Sequence, residues 1–244
     1  MKNYANWIGA GIGWAAGGPI GAALGYLIGN VIKGSSKDYK EFSQEKNKTN
    51  TEPGDFEISL LFLSAVVIKA DGKIDQKELD HVRDYFVKMY GKDRANHAFK
   101  LFKEIINNKS ISTKEICTQI RSNMSHASRL QLVHYLFSIA KADGTVTEDE
   151  VKAINTIANY LYISHPDFES IKAMFYNSTD NAYKILEVEK TDDMATIKKS
   201  YRSLVKKHHP DKVAQLGEEH MKGAQEKFLK IQEAYEAIKK ERNA

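Results

Sequence analysis

At 244 residues, with 42% hydrophobic and 28% charged side chains, the chain has the composition of an ordinary folded protein, and it is long enough for real cores. The formal net charge of +4 comes from lysines dispersed among acids rather than gathered in one tract, so charge gives no support to nucleic-acid binding. A single cysteine, Cys117, excludes an internal disulfide, fits a reducing compartment and reads as a small buried apolar residue rather than a nucleophile.

Between Lys2 and Lys33 no side chain is charged. At a helical rise of about 1.5 Å per residue this run is long enough to cross a hydrocarbon core of about 30 Å. It exceeds the apolar region of a signal peptide and has no basic cluster ahead of it. Residues 1–32 are therefore expected to form a single transmembrane helix. The lysines lie downstream (Lys33, Lys37, Lys40, Lys46 and Lys48), which places the N-terminus outside and the rest in the cytoplasm. Glycine recurs at every fourth position, Gly9, Gly13, Gly17, Gly21, Gly25 and Gly29. Such a small-residue stripe lets a second helix backbone approach closely, and a homodimer through the membrane is expected. Residues 33–54 turn polar and rich in lysine and asparagine, a linker that stops at Glu52-Pro53-Gly54.

Residues 55–175 carry helical periodicity, and two stretches repeat at an offset of 72 residues. Ile68-Lys69-Ala70-Asp71-Gly72-Lys73-Ile74-Asp75 is matched by Ala140-Lys141-Ala142-Asp143-Gly144-Thr145-Val146-Thr147. Each copy reads as a helix, a glycine break and a new helix. Leu60, Leu61, Val67, Val82 and Tyr85 correspond to Leu132, Val133, Ile139, Ile154 and Ile157, so the two hairpins are expected to share one core. The loops look like the second half of a calcium-binding loop, with Asp71, Asp75, Asp143 and Glu150 as weak metal candidates. Lys69 and Lys141 stand where leading carboxylates would be needed. Capping explains the same residues: Asp75 with Glu78, and Thr147 with Glu150, at capping-box spacing, and Gly72 and Gly144 in left-handed turns. The doubled loops resemble the TerB family of all-helical domains. That resemblance implies a helical bundle whose acidic loop residues meet metal or protein partners, and it implies no enzyme activity.

From residue 176 the pattern changes to three helices: a short one over Ala182–Val188, a longer one started by Thr191 and Asp192 and ending at His208, and a last one from about Glu218 to Lys240. Ile197, Tyr201, Leu204 and His208 share one face of the middle helix, while Lys198, Arg202 and Lys206 line another. Pro210 cannot continue that helix and pushes His209 out of helical geometry, so His209-Pro210-Asp211 is expected to be a turn at a helix end. Phe228, Ile231, Ala234, Tyr235 and Ile238 form the packing face of the last helix.

Four signatures occur in order. They are Tyr183-Lys184-Ile185-Leu186-Glu187-Val188, Ile197-Lys198-Lys199-Ser200-Tyr201-Arg202-Ser203-Leu204, His209-Pro210-Asp211-Lys212, and Lys227-Phe228-Leu229-Lys230-Ile231-Gln232-Glu233-Ala234-Tyr235-Glu236. Together they resemble the J domain. The resemblance implies that Lys198, Arg202 and Lys206 dock on acidic surface of a DnaK-class ATPase, and that His209, Pro210 and Asp211 act at the joint between its domains. The chain would then be a regulator of a partner ATPase, with no catalytic residue and no cofactor of its own. Two positions depart from the pattern: Ser203 stands where a basic residue is usual, and Glu187 where a glycine is usual. The chain has no Cys-x-x-Cys repeat of the kind that serves client binding in general co-chaperones. Anchor, TerB-like domain and terminal J domain in this order resemble the DjlA-like family of bacterial inner-membrane DnaJ proteins. The expected fold is all-α, and the expected function is that of a membrane-tethered co-chaperone on the cytoplasmic face. A metal- or stress-sensing membrane scaffold acting through the TerB-like domain is the alternative. For the glycine stripe, replacing Gly17 and Gly21 by leucine is expected to weaken dimerisation of the full chain in a membrane, read by crosslinking; an unchanged dimer would refute the close-approach reading.

Overall fold

The computed structural model describes residues 53–243 apart from 71, 73, 108–111, 143 and 177–179. The expected anchor with its glycine stripe, nearly all of the linker, and Asp71 and Asp143 lie outside the described residues. Every regular element among those described is helical, with no strand. None of the described helices is long and apolar enough to cross a membrane.

Two helices that are apolar nearly all round make the centre of the middle domain, as expected of helices wrapped on every side. The first, α1 (Pro53–Ile68), starts at the Pro-Gly read as a stop, because proline suits the first helical turn, where its missing N–H is not needed. Its buried Ser64 is satisfied within the helix, donating to the Leu60 carbonyl at 2.6 Å. Its repeat partner is α5 (His126–Ala140), which starts at Ser125, whose hydroxyl accepts from the Ser128 N–H. Around this pair lie α2 (Gln76–Tyr90), α3 (Lys92–Asn107), α4 (Thr113–Asn123), α6 (Glu148–Tyr160) and α7 (His165–Ala173). Helix α1 packs on α3, α4, α5 and α6, while α2 and α7 pack on α5. Leu60, Leu61, Val67 and Val82 and their counterparts Leu132, Val133, Ile139 and Ile154 all belong to one buried cluster, as the repeat requires. Tyr85 breaks the symmetry: it is only half-buried, packing on Tyr135 with ring centroids 3.8 Å apart and reaching the C-terminal module.

The repeated loops are built by caps. Gly72 and Gly144 take φ of 77° and 111°, conformations open to glycine, and each N–H returns to the carbonyl three residues earlier. Asp75 Oδ1 accepts from the Lys77 N–H at 2.6 Å. Thr147 and Glu150 form a full capping box: Thr147 Oγ1 accepts from the Glu150 N–H at 3.2 Å, and Glu150 Oε2 accepts from the Thr147 N–H at 2.7 Å. Two of the four weak metal candidates, Asp75 and Glu150, are thus engaged by their own backbone. Among the described residues no group of His, Cys, Asp and Glu is arranged to hold a metal ion.

The C-terminal module contains α8 (Asp180–Ile185), α9 (Met194–Lys207), a 3-10 segment (Pro210–Leu216) and α10 (Glu218–Asn243). Asp193, one residue beyond the expected starters, caps α9 by accepting from the Thr196 N–H at 2.7 Å, while Asp192 accepts from Glu189. The hairpin of α9 and α10 closes over Ile197, Leu204, Ile231, Ala234 and Ile238, with Tyr201 and Tyr235 stacked at 4.2 Å and 9°. Arg242 near the C-terminus returns to the loop before α9, donating to the Asp192 and Lys190 carbonyls and lying over the Tyr183 ring.

Thr147→Ala is expected to lower the unfolding free energy by about 1 kcal/mol. Denaturant titration with and without calcium is the check: a loss that calcium leaves unchanged is the signature of a cap, whereas a loss seen in calcium alone would restore the metal reading.

Candidate functional site

The chain leaves α9 at His208 and turns at Pro210. His209 adopts φ −61° and ψ 133°, extended backbone as the following proline demands, and heads the 3-10 segment. Its Nδ1 accepts from the Asp211 N–H at 3.3 Å and stands 3.4 Å from Asp211 Oδ2. The imidazole meets the half-buried Phe228 edge to face at 5.9 Å. Both polar side chains of the corner are open to solvent, His209 at 46% and Asp211 at 84%. Lys198, Arg202 and Lys206 are likewise exposed on α9, as is Ser203 between them. An outward carboxylate beside a cationic helix face is suited to charge-assisted hydrogen bonds with another macromolecule.

Beneath the corner the 3-10 segment does something sequence patterning did not anticipate. Val213 and Leu216, three residues apart and so on one side of a 3-10 turn, are buried with Ala224 of α10 in the core of the middle domain. The segment lies against α1 and α5, and α10 packs on α2 and α5. Polar contacts fasten the same joint. Lys207 Nζ donates to Asp167 Oδ1 at 2.7 Å and stands 3.4 Å from Glu187 Oε1. Ser164 Oγ also donates to Asp167, and His126 Nε2 lies 3.7 Å from it. Burial alone would raise the Asp167 carboxyl, but the contacts from His126, Lys207 and Ser164 outweigh it and hold it well below the ordinary carboxylate range. Burial opposes charge on Lys207 too, yet Asp167 and Glu187 leave its pKa raised. At Glu187 burial prevails over Lys207, and the carboxyl is raised.

On α10 the expected packing face of Phe228, Ile231, Ala234, Tyr235 and Ile238 is buried at Ile231, Ala234 and Ile238, while Phe228 and Tyr235 are half-buried. The buried stripe is His220, Ala224, Lys227, Ile231, Ala234 and Ile238, alternating by four and three, and Lys227 occupies an interior place in it. Its Nζ donates to the buried Gln131 Oε1 at 2.9 Å. Read as a seven-residue pattern, that lysine would have stood out. Next to the corner, His208 is 4% exposed with neither ring nitrogen hydrogen-bonded, and its pKa is held well below 6.5 by burial and the nearby Lys227 and Lys207. Cys117 is buried and its thiol is pushed up to about 12 by burial, an inert packing residue.

Glu187 has a local explanation. It sits at φ 55°, its N–H reaching the Lys184 carbonyl and the Val188 N–H reaching Tyr183, the helix-ending motif in which glycine is usual. A left-handed non-glycine residue costs about 1 kcal/mol, while the half-buried pair with Lys207 returns a fraction of that. Glu187→Gly is therefore expected to leave stability equal or slightly higher in a thermal melt; a fall of several degrees would show that the ion pair outweighs the backbone strain.

Three family models match the chain piece by piece: the co-chaperone DjlA transmembrane domain over residues 1–37, the tellurite resistance protein TerB over 57–173, and the DnaJ domain over 181–244. Full-length relatives are similar throughout. The co-chaperone protein DjlA of Coxiella burnetii is 28% identical over 271 residues, covering 98% of this chain and 99% of that protein. Its namesake in Haemophilus influenzae is 24% identical, covering 98% of each chain, and that of Escherichia coli K12 is 26% identical, covering 99% of each. No solved structure matches. With all three segments present in this order and relatives aligned end to end, the chain belongs to the DjlA-like family of DnaJ proteins, a TerB domain followed by a C-terminal J domain.

Proposed function

We propose that this chain is a membrane-tethered co-chaperone that recruits a DnaK-class chaperone and stimulates its ATP hydrolysis at the cytoplasmic face of the bacterial inner membrane. The observation that carries the reading is the outward presentation of His209 and Asp211 at the proline corner beside exposed Lys198, Arg202 and Lys206, while Val213, Leu216 and Ala224 are buried in the core of the TerB domain. The lysine and arginine face steers the J domain toward acidic surface, an attraction that weakens with salt. Asp211 then accepts from an arginine of the partner. A J domain that binds the hydrolysis-competent state more tightly shifts the partner's population toward it. The reacting groups belong to that ATPase, and this chain regulates.

Residues 1–32 serve as the anchor, with the N-terminus outside, 33–54 as the linker, 55–175 as the TerB domain and 176–244 as the J domain. Lys33 and the lysines after it support the orientation. The glycine stripe supports a homodimer in the membrane. Tethering raises the local concentration of whatever the J domain recruits.

The test is single-turnover ATP hydrolysis by DnaK with the full chain in lipid nanodiscs, since Val213, Leu216 and Ala224 of the J domain share a core with the TerB domain. Wild type is expected to accelerate hydrolysis, and Asp211→Asn or His209→Gln to abolish the effect. Their exposed positions predict melting curves within about 0.5 kcal/mol of wild type. Alanine at Lys198, Arg202 and Lys206 together is expected to raise the half-maximal concentration by about tenfold or more and to flatten its salt dependence. A wild-type chain that leaves DnaK turnover unchanged at saturation sinks the reading.

A further inference from the structure

Three oddities of sequence meet at one point between the domains. Lys227 is 2% exposed within the apolar stripe of α10. Gln131 is 2% exposed on α5, a helix that buries mostly apolar side chains. Gly223 stands one turn before Lys227 inside a long helix, where glycine is less favourable than alanine by about 1 kcal/mol. Each is explained by the other two. A Cβ on Gly223 would lie 2.6 Å from Gln131 Nε2, so the missing side chain makes room for the Gln131 amide. Gln131 Oε1 in turn accepts from Lys227 Nζ at 2.9 Å, satisfying two polar groups that burial would otherwise leave costly.

We propose that Gln131 is a positioning residue for the His209-Pro210-Asp211 corner: seated against Gly223, it holds Lys227 and so clamps the J domain to the TerB domain. The corner is coupled to this clamp through the segment it heads, because Val213 and Leu216 are buried with Ala224 in the TerB core. Tyr85 Oη and His220 Nδ1, 3.3 Å apart, and Lys207 with Asp167 fasten the same joint on either side. The docking face of α9 stays open in this arrangement, with Lys198, Arg202 and Lys206 exposed. The clamp therefore orients the corner without covering it.

The joint is sensitive to pH in a defined direction. The titratable groups on the elements around it are His134 on α5, Lys207 and His208 at the end of α9, Asp167 on α7 with Glu187 beyond it, and Tyr85 on α2 against His220 of α10. Burial, opposed only by Asp167, pushes the Lys227 ammonium from 10.5 down to about 7. Burial and Lys227 push His134 from 6.5 down to about 3, and burial pushes His220 down to about 4. The docked joint thus binds fewer protons than the released one. Docking tightens as pH rises from about 7 toward the ordinary lysine range, and it loosens as pH falls below 6.5, where the histidines take up protons once released but stay neutral while docked.

The consequence for DnaK rests on the function proposed above; the clamp itself does not, and two readouts on the full chain in nanodiscs keep them apart. The first is amide hydrogen exchange of residues 211–216, corrected for intrinsic rates, between pH 6 and 9. Wild-type protection is expected to rise with pH. Gln131→Leu and Gly223→Ala are expected to lower it about tenfold, leaving the α9–α10 hairpin core and α1 protected as before. Gln131→Glu, which supplies Lys227 with an opposite charge, is expected to restore protection and to flatten its pH dependence. Unchanged protection of 211–216 in the leucine and alanine variants overturns the clamp, and so does a loss spread equally over both domains. The second readout is the dose dependence of DnaK stimulation, where Gln131→Leu is expected to raise the half-maximal concentration about tenfold with a similar plateau. A loosened segment that leaves the dose curve of an active wild type untouched overturns the positioning role. An inactive wild type would instead overturn the DnaK reading, with the exchange data still deciding the clamp.

Discussion

Proline 210 is the constraint on which the arrangement depends. It ends α9, forces His209 into extended backbone and starts a 3-10 turn whose three-residue period separates the polar corner from its apolar underside. His209 and Asp211 face water, while Val213 and Leu216 drop into the core of the TerB domain. A loop that displays polar groups needs something to hold it still, since exposed loops have little packing of their own. Here the hold comes from a neighbouring domain.

That neighbour is itself asymmetric in a useful way. The repeat builds α1 and α5 as two equivalent central helices, and the capped glycine loops after them are equivalent too. Equivalence ends where the J domain arrives. Tyr85 is half-buried and turned toward Tyr135 and His220, whereas its counterpart Ile157 is fully buried in the bundle. On α5 the polar interruptions Gln131 and His134 fall on the side that meets the J domain and Phe175 after α7. Both copies of the hairpin thus contribute to the surface that meets the J domain, Tyr85 from the first and Gln131 from the second, and Thr147 and Glu150 cap the start of the next helix.

The joint mixes an apolar seam with buried charge, and the two do different work. Burial of Val213, Leu216 and Ala224 drives association without direction. The Lys227–Gln131 and Lys207–Asp167 contacts add register, because a buried amine or carboxylate shifted by an ångström or two loses its partner while keeping its desolvation penalty. Register is what a presented motif requires. The Lys207–Asp167 bond sits immediately before the corner, and the Lys227–Gln131 bond lies on the helix that supports it.

Much of the molecule is determined by the order of residues alone. Apolar periodicity, the offset repeat, capping pairs and the helix-breaking proline are local rules whose consequences hold within a few residues, and they were enough to place the helices of the two repeated hairpins with their shared core, the three helices of the C-terminal module, the exposed cationic face and the turn at His209, but not α3, α4 or α7. The all-helical character of the described residues follows from them. Only the tertiary structure decided where the two domains touch. No local pattern marks Lys227, Gln131, Gly223, Val213 or Leu216, because each acquires its meaning from a partner far away in the chain, 96 residues in the case of Lys227 and Gln131. Local propensity has no range to reach that far; the desolvation of a lysine against a glutamine exists only once the chain has brought the two helices together.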